Sequence, residues 1–122
     1  MKNKSAKEKM IYFYHAEMCK VFSHPTRLEI INTLRDKEVT VGELAKKLKL
    51  GIGNLSQHLS MMKDRRILSS RKEGNQVYYR IANPKMLEAF DLLREILLEQ
   101  IQKDSLLLTE ETKTKKRHHP IS

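Results

Sequence analysis

The chain has one cysteine, Cys19, and no tryptophan among its 122 residues. A single thiol excludes an internal disulfide framework, as is typical of proteins from a reducing compartment. No run approaches the roughly 18 apolar residues of a membrane-spanning helix, and no apolar segment follows the basic first residues. The sequence also lacks a nucleophile–base pair, a glycine-rich phosphate loop and a cluster of metal ligands. We therefore expect a cytoplasmic protein that is no enzyme and has no membrane segment, cofactor or bound metal.

Negative charge is in short supply. The chain has 24 Lys and Arg against 15 Asp and Glu, a formal net charge of +9. Such a balance indicates a polyanionic partner, either nucleic acid or an anionic membrane surface. The first predicted helix carries Glu8 and Glu17 on a mixed polar face, which disfavours the membrane. Nucleic acid is therefore the expected partner.

The length predicts one domain, placed at residues 9–104, between a basic tail at 1–8 and another at 105–122. Apolar residues at helical spacing predict a first helix from about Lys9 to Phe22. A second helix is expected to begin at Pro25, because proline suits the first helical position. The residue just before it, His24 or Ser23, would be its cap.

Two short helices joined by a tight break come next. Thr40 and Glu43 have the spacing of a capping box, which predicts the start of the first helix. Gly51 is the expected cap of the second, which should run from about Ile52 to Arg65. Ala45 is small where the two helices must approach each other. This spacing is typical of a helix-turn-helix.

A basic hairpin and a long helix complete the predicted fold. Glu73-Gly74-Asn75 supplies the turn between two strands of alternating character. Asn83-Pro84 begins the last helix, whose apolar stripe ends near Asp104. A hairpin directly after a helix-turn-helix indicates a winged helix-turn-helix. We expect a mainly α protein with five helices and a two-stranded wing.

These elements suggest how the chain would hold a DNA duplex. A helix fits the major groove, where Asn and Gln pair with adenine and Ser tolerates several bases, while wing cations neutralise phosphates. Gln57 is expected to read a base and Arg71 to contact phosphate. The predicted contacts of the recognition helix are Asn54, Ser56, Gln57, His58, Ser60 and Lys63. Those of the wing and the phosphate-binding positions are Arg65, Arg66, Arg71, Lys72, Asn75 and Gln76.

His58 has a second interpretation. A partly buried imidazole at this position would hold the recognition helix through hydrogen bonds instead of contacting DNA. The basic residues also have a plainer one, as a solvated face. The agreement of helical period, break and hairpin favours DNA binding.

Four segments, "SHPTRLEIINTL", "VGELAKKL", "LSQHL" and "GNQVYYRI", together resemble the ArsR/SmtB family of effector-responsive winged-helix repressors. The resemblance covers about residues 9–103. It implies a homodimer formed by the first and last helices, which represses transcription by binding an operator and leaves it when an effector binds. Gly51 and Gly53 depart from the family pattern and remove side chains that would contact bases, which shifts weight to phosphate contacts and DNA shape.

The family's two usual metal sites are absent. Where the resemblance implies thiolates in "E-L-C-x-C", this chain has Ala45 and Lys47. The last helix has no His, and its acidic residues at 91, 95 and 99 form an exposed face. The remaining candidate sensor is the pair His15 and Cys19, four residues apart on one helix face. The alternative is that Cys19 is a small core residue.

Two further questions stay open in the sequence. The apolar stripes of the first and last helices exceed what one short domain covers, which predicts a homodimer, although both could pack within one chain. The chain could also be a winged-helix interaction module that binds RNA or an acidic protein and makes no duplex contact. Duplex and single-stranded competitors would separate these functions.

Overall fold

The structure, a computed structural model, describes the backbone of residues 5–115 and the side chains of residues 5–106. Its elements are α1 (Ala6–Val21), α2 (Pro25–Leu34), β1 (Val39–Thr40), α3 (Val41–Leu48), α4 (Ile52–Asp64), β2 (Leu68–Glu73), β3 (Gln76–Ile81) and α5 (Lys85–Lys115). The chain divides into two compact units within α5, one ending at Leu87 and one beginning at Glu88. The predicted class, a mainly α winged helix-turn-helix with five helices in this part of the chain, is confirmed.

Helix α1 begins earlier than the sequence suggested. The Ser5 hydroxyl accepts a hydrogen bond from the Glu8 backbone N–H at 3.1 Å, and the Glu8 carboxylate accepts one from the Ser5 N–H at 3.4 Å. This capping box starts the helix at Ala6, three residues before the predicted Lys9. Residues 6–8 are therefore helical, contrary to the predicted tail, while residues 1–4 lie outside the described residues.

Helix α2 supplies much of the core of the first unit. His24 is its N-cap, because its ring nitrogen accepts from the Thr26 N–H at 3.2 Å, and Pro25 is the first helical residue as predicted. Side chains from α1 to β2 meet in one apolar core. Its fully buried members are Val21, Ile30, Ile31, Leu34, Leu44, Leu55, Leu59, Met62, Ile67 and Leu68. Burying each such side chain contributes about 1.5–3 kcal/mol.

A third strand joins the wing. Strand β1 pairs antiparallel with β3 through Val39↔Tyr79 and Thr40↔Tyr78, which gives the sheet order β1-β3-β2. The predicted two-stranded wing is formed by β2 and β3, and β1 is an additional strand that the sequence analysis did not predict. Two residues are too few to show alternation, and the pairing partner lies far along the chain. Thr40 also caps α3, since its hydroxyl accepts from the Glu43 N–H at 3.1 Å, as predicted.

The hairpin turn is shorter than expected. Glu73 pairs with Gln76 and so belongs to β2, which leaves Gly74 and Asn75 as the turn. Gly74 has φ +61°, a conformation that a residue with a Cβ rarely adopts. This explains the glycine between two strands of otherwise regular register.

Helix α5 is longer than predicted. It begins at Lys85, whose N–H donates to the Asn83 side chain at 3.0 Å, so Pro84 precedes the helix instead of starting it. It continues to Lys115, past the expected end at Asp104, because neither glycine nor proline interrupts residues 105–115. The part of the predicted tail at 116–122 lies outside the described residues.

Candidate nucleic-acid interface

The two helices of the helix-turn-helix are joined by a tight turn. Lys49 adopts a left-handed conformation, φ 56° and ψ 47°, and closes α3. The Leu50 N–H then donates to the Ala45 carbonyl at 3.0 Å. Ala45 on α3 and Leu55 on α4 are both buried, and the two helices pack against each other. The small residue and the apolar plug thus fix α4 against α3, as the spacing predicted.

The first turns of α4 present polar side chains to solvent. Gly51 is the N-cap but has no side chain to satisfy the helix, and a Cβ at Gly51 or Gly53 would meet nothing within 4 Å. Asn54 and Gln57 are exposed and Ser56 is half-buried. An open groove of about 450 Å³ borders this face and is lined by Ser56, Gln57, Ser60, Met61, Asp64 and Arg65.

Within the described residues, the predicted base-reading side chains make no hydrogen bond or ion pair. This holds for Asn54, Ser56, Gln57, Ser60 and Lys63, of which all but the half-buried Ser56 are exposed. Their amide, hydroxyl and ammonium groups are therefore available to base edges and phosphates. Amide groups on one face of a helix can bond adenine in the major groove.

His58 is held by α2. Its Nδ1 accepts a hydrogen bond from Arg27 Nε at 3.3 Å, and its ring lies 4.6 Å from the ring of His24, measured between centroids. Burial lowers the pKa of His58 from its ordinary value, and the neighbouring His24 and Arg27 lower it further. These contacts fit the interpretation that His58 positions the recognition helix.

Arg65 is tied to the first helix. Its Nη1 donates to Glu17 Oε1 at 2.8 Å, and Lys20 pairs with the other carboxylate oxygen at 2.7 Å. The hydrogen bond from Lys20, with the charge of Arg65, lowers the pKa of the Glu17 carboxyl. Arg65 also lies beside a groove of about 680 Å³ whose other lining residues are Phe13, Tyr14, Glu17, Met18, Asp64 and Arg66. Its charge is thus already paired within the chain.

Arg66 has a different environment. It is exposed, with φ 61°, and its backbone N–H donates to the Lys63 carbonyl at 2.9 Å. The described residues include no acidic partner for its side chain. Arg66 and Lys63 therefore place two unpaired cations at the end of the recognition helix.

Two neighbouring cations of the wing, Arg71 and Lys72, have different environments. Arg71 Nε donates to both oxygens of Glu38, each at 3.0 Å, and its Nη1 donates to Glu73 at 3.0 Å. Lys72 is exposed and has no ion pair in the described part of the chain. Asn75 and Gln76 are also exposed at the tip. The structure thus places the predicted wing residues on one hairpin. Arg71 differs from the others because its charge is already paired with Glu38 and Glu73.

The sequence did not reveal the residues that hold three of the predicted site residues. Glu17, Arg27 and Glu38 form the contacts with Arg65, His58 and Arg71. Their partners lie 48, 31 and 33 residues away along the chain, so no local spacing signals the pairs. Only knowledge of the helix packing and the strand order identifies them.

The candidate sensor residues lie on α1. His15 and Cys19 are both exposed, so the alternative that Cys19 is a core residue of the single chain was wrong. Among the described residues, no group of three or more His, Cys, Asp and Glu is placed to hold a metal ion. In this same part of the chain, no helix is both long enough and apolar enough to span a bilayer.

A tight helix-turn-helix with an exposed polar face, followed by a basic hairpin, defines the class of winged helix-turn-helix regulators. The family profile described as "Bacterial regulatory protein, arsR family" matches residues 24–70. Transcriptional repressor PagR of Bacillus anthracis is 38% identical over 82 residues, which cover 66% of this chain and 82% of PagR. The chain belongs to the ArsR family of bacterial transcriptional regulators, in agreement with the resemblance seen in its motifs.

Other relatives and solved structures agree. The HTH-type transcriptional regulator Rv0081 of Mycobacterium tuberculosis is 33% identical over 88 residues, covering 71% of this chain and 77% of Rv0081. Its crystal structure matches with a TM-score of 0.72 over 78% of this chain and 96% of that one. The PagR crystal structure matches with a TM-score of 0.62, covering 70% and 98%. Transcriptional activator HlyU of Vibrio cholerae is 32% identical over 79 residues, covering 65% and 73%.

Proposed function

We propose that two copies of the chain bind a pseudo-palindromic operator in the cytoplasm and repress transcription from it. The observation that carries this proposal is the face of α4 around Asn54 and Gln57, whose polar groups are exposed and have no partner in the described residues. Exposed polar groups without intramolecular partners add nothing to the stability of the folded chain. This face and the basic wing beside it both suit a DNA duplex, where the helix enters the major groove.

Base discrimination is assigned to the first turns of α4. Asn54 and Gln57 can each bond one adenine bidentately, and Ser56 and Ser60 accept or donate to several bases. Because Gly51 and Gly53 bring no side chains, few residues can read bases at this end of the helix. Phosphate contacts and DNA shape then supply a larger share of the affinity.

Phosphate binding is assigned to those cations among the predicted site residues that have no acidic partner in the described part of the chain. These are Lys63 and Arg66 at the end of α4 and Lys72 in the wing, with Asn75 and Gln76 at the tip as hydrogen-bond donors. The net charge of +9 adds a general attraction. If a dimer contacts six to ten phosphates, affinity falls by roughly 10³–10⁵ between 50 and 200 mM salt.

The dimer is proposed from apolar side chains that one chain leaves in solvent. Helix α1 exposes more than half of Met10, Ile11, Tyr12, Phe13 and Tyr14. In the second unit, α5 likewise exposes Leu92, Leu93, Ile96, Leu97 and Leu98. Exposed large apolar side chains in such numbers on each of the two helices are typical of association surfaces. A two-fold dimer would place its recognition helices at half-sites about 10 bp apart.

Repression is favoured over activation by PagR, which at 38% is more similar to this chain than the activator HlyU at 32%. Release by an effector is proposed from family membership. His15 and Cys19 remain the candidate sensor, tested by titrating thiol oxidants and soft metals against DNA binding. A Cys19→Ser variant that responds like the natural protein would remove Cys19 from the mechanism. No catalytic activity is proposed.

The test of this function is capture of bound genomic DNA, followed by titration of the recovered operator in the presence of single-stranded RNA and random duplex. Gln57→Ala should change the preference at one base pair by roughly 1–3 kcal/mol. Lys72→Ala should weaken every duplex alike and lower the salt slope by about one. Preferential binding to single-stranded RNA, or no duplex enriched over random DNA, would contradict the proposal.

A further inference from the structure

A charged cluster spans the three strands of the wing sheet. Arg71 in β2 donates to Glu38 and Glu73 at 3.0 Å, and its guanidinium carbon lies 4.5 Å from the centre of the Tyr78 ring. Glu38 is the residue just before β1. Three polar contacts and one ring contact thus converge on a single side chain of the wing.

The strand order explains why the guanidinium reaches so far. Arg71 pairs across the ladder with Tyr78 in the middle strand, and Tyr78 pairs on its other side with Thr40 of β1. The side chain of Arg71 therefore crosses over Tyr78 to meet Glu38 at the opposite edge of the sheet. The contact connects the hairpin to the segment that leads into α3.

The charges of this cluster disfavour a contact between Arg71 and a DNA phosphate. Two carboxylates bond one guanidinium, and Arg80 acts on Glu38 through its charge, so the cluster as a whole is not cationic. The hydrogen bond from Arg71 lowers the pKa of Glu38, and both carboxylates raise the pKa of Arg71. Lys72, its neighbour in the strand, has no such partner in the described residues. A phosphate would have to displace bidentate bonds from Arg71 but none from Lys72.

We propose that Arg71 is a positioning residue that anchors the wing to the body through Glu38, and that the wing contacts DNA through Lys72 and the tip at residues 74–76. The inference deepens the proposed function and rests on it for its DNA contact. A wing held at a fixed angle loses less freedom on binding than one hinged only at its strand ends.

Glu38→Ala gives a test in which the two roles predict opposite signs. If Glu38 anchors the wing, its removal weakens duplex binding by roughly two- to fivefold, the range that one partly exposed ion pair supplies. If Glu38 acts only through its charge, removing a negative group tightens binding. Asp36→Ala is the matched control, because Asp36 is exposed nearby and makes no contact with Arg71. It should bind as tightly as the natural protein or more tightly.

Salt dependence gives a second, independent measurement. Arg71→Ala should weaken binding yet leave the slope of log affinity against log salt unchanged, because no phosphate contact is lost. Lys72→Ala should lower the same slope by about one. A slope reduced equally by both variants, or tighter binding by Glu38→Ala, would overturn the proposal.

Hydrogen exchange in the free protein separates this proposal from the DNA-binding function. The wing amides between Lys72 and Val77 should exchange faster in Glu38→Ala and Arg71→Ala than in Asp36→Ala. If the natural protein binds no duplex, the proposed function fails while this measurement still decides the anchor. Equal wing exchange in all three variants would overturn it.

Discussion

His58 lies on the recognition helix, and its ring contacts Arg27 in α2 and His24, the N-cap of α2. Arg27 donates to its Nδ1 and the His24 ring lies beside it, so the imidazole is bonded in its neutral form. Protonation would place a positive charge against Arg27 in a half-buried setting. The position of α4 is therefore linked to the protonation state of the His58 imidazole.

This link predicts how stability changes with pH. Because the folded-state pKa of His58 lies below its ordinary value of 6.5, the unfolded chain binds the proton more tightly. Its contribution to the free energy of unfolding is complete above pH 6.5 and declines as the pH falls toward the lowered pKa. His58→Gln keeps an acceptor for Arg27 but does not titrate. Chemical denaturation between pH 7 and 5 should therefore show a smaller loss of stability in this variant.

The control for that experiment is His15→Gln, since His15 is exposed on α1. It should retain the full decline. Three carboxylates, those of Glu17, Glu38 and Glu43, do not obscure the window. Their pKa values are lowered from 4.5, so their contributions to stability are lost only below that pH. Identical declines in the natural protein and His58→Gln would show that His58 does not titrate in folding.

At the scale of elements, both helices of the helix-turn-helix carry a glycine in their first turn. Gly42 is the second residue of α3 and Gly53 the second residue of α4. Both are exposed, and a Cβ at either would meet nothing within 4 Å. The folded chain has room for a larger residue at both positions, although glycine lowers the stability of a helix. The presence of glycine at one or both positions therefore has a reason other than packing.

We expect alanine at the two positions to act equally on stability and unequally on DNA. Gly42→Ala and Gly53→Ala should each raise the free energy of unfolding by a few tenths to about 1 kcal/mol. Gly53→Ala should also reduce operator affinity several-fold, because the methyl group stands where the duplex approaches the start of α4. Gly42→Ala is its control, with a smaller effect on affinity. Equal effects of both variants on affinity would mean that α4 does not enter the groove by this end.

How far the sequence predicted these elements depends on the distance over which each is specified. The capping boxes that begin at Ser5 and Thr40 each join residues within one helical turn. The one at Thr40 was predicted from residue spacing alone. Strand β1 was missed because two residues form it only when β3 lies beside them. The cations Arg65 and Arg71 were predicted to bind phosphate, since their sequence neighbourhood shows charge but not the distant carboxylates that pair with them.

At the scale of the whole molecule, charge and apolar exposure point to two different partners. The net charge of +9 suits a duplex, whereas the apolar side chains of α1 and α5 suit a protein surface. The proposed second copy would cover these apolar side chains and would also double the DNA contacts. Dimerisation and operator affinity should therefore be coupled in this protein.

Leu93 and Leu97 lie one turn apart on α5 and are both more than half exposed. Each is already about half buried in the single chain, so full burial in a dimer adds roughly 0.8–1.5 kcal/mol per side chain. Four such side chains in the two copies contribute about 3–6 kcal/mol, so replacing both by Glu should raise the dissociation constant of the dimer by roughly 10²–10⁴. Analytical ultracentrifugation should find this variant monomeric, and operator titration should show weak binding to single half-sites. Glu95→Gln changes an exposed charge on the same helix and should leave both properties intact. A monomeric variant that binds the full operator as tightly as the natural protein would separate the two functions that the fold joins.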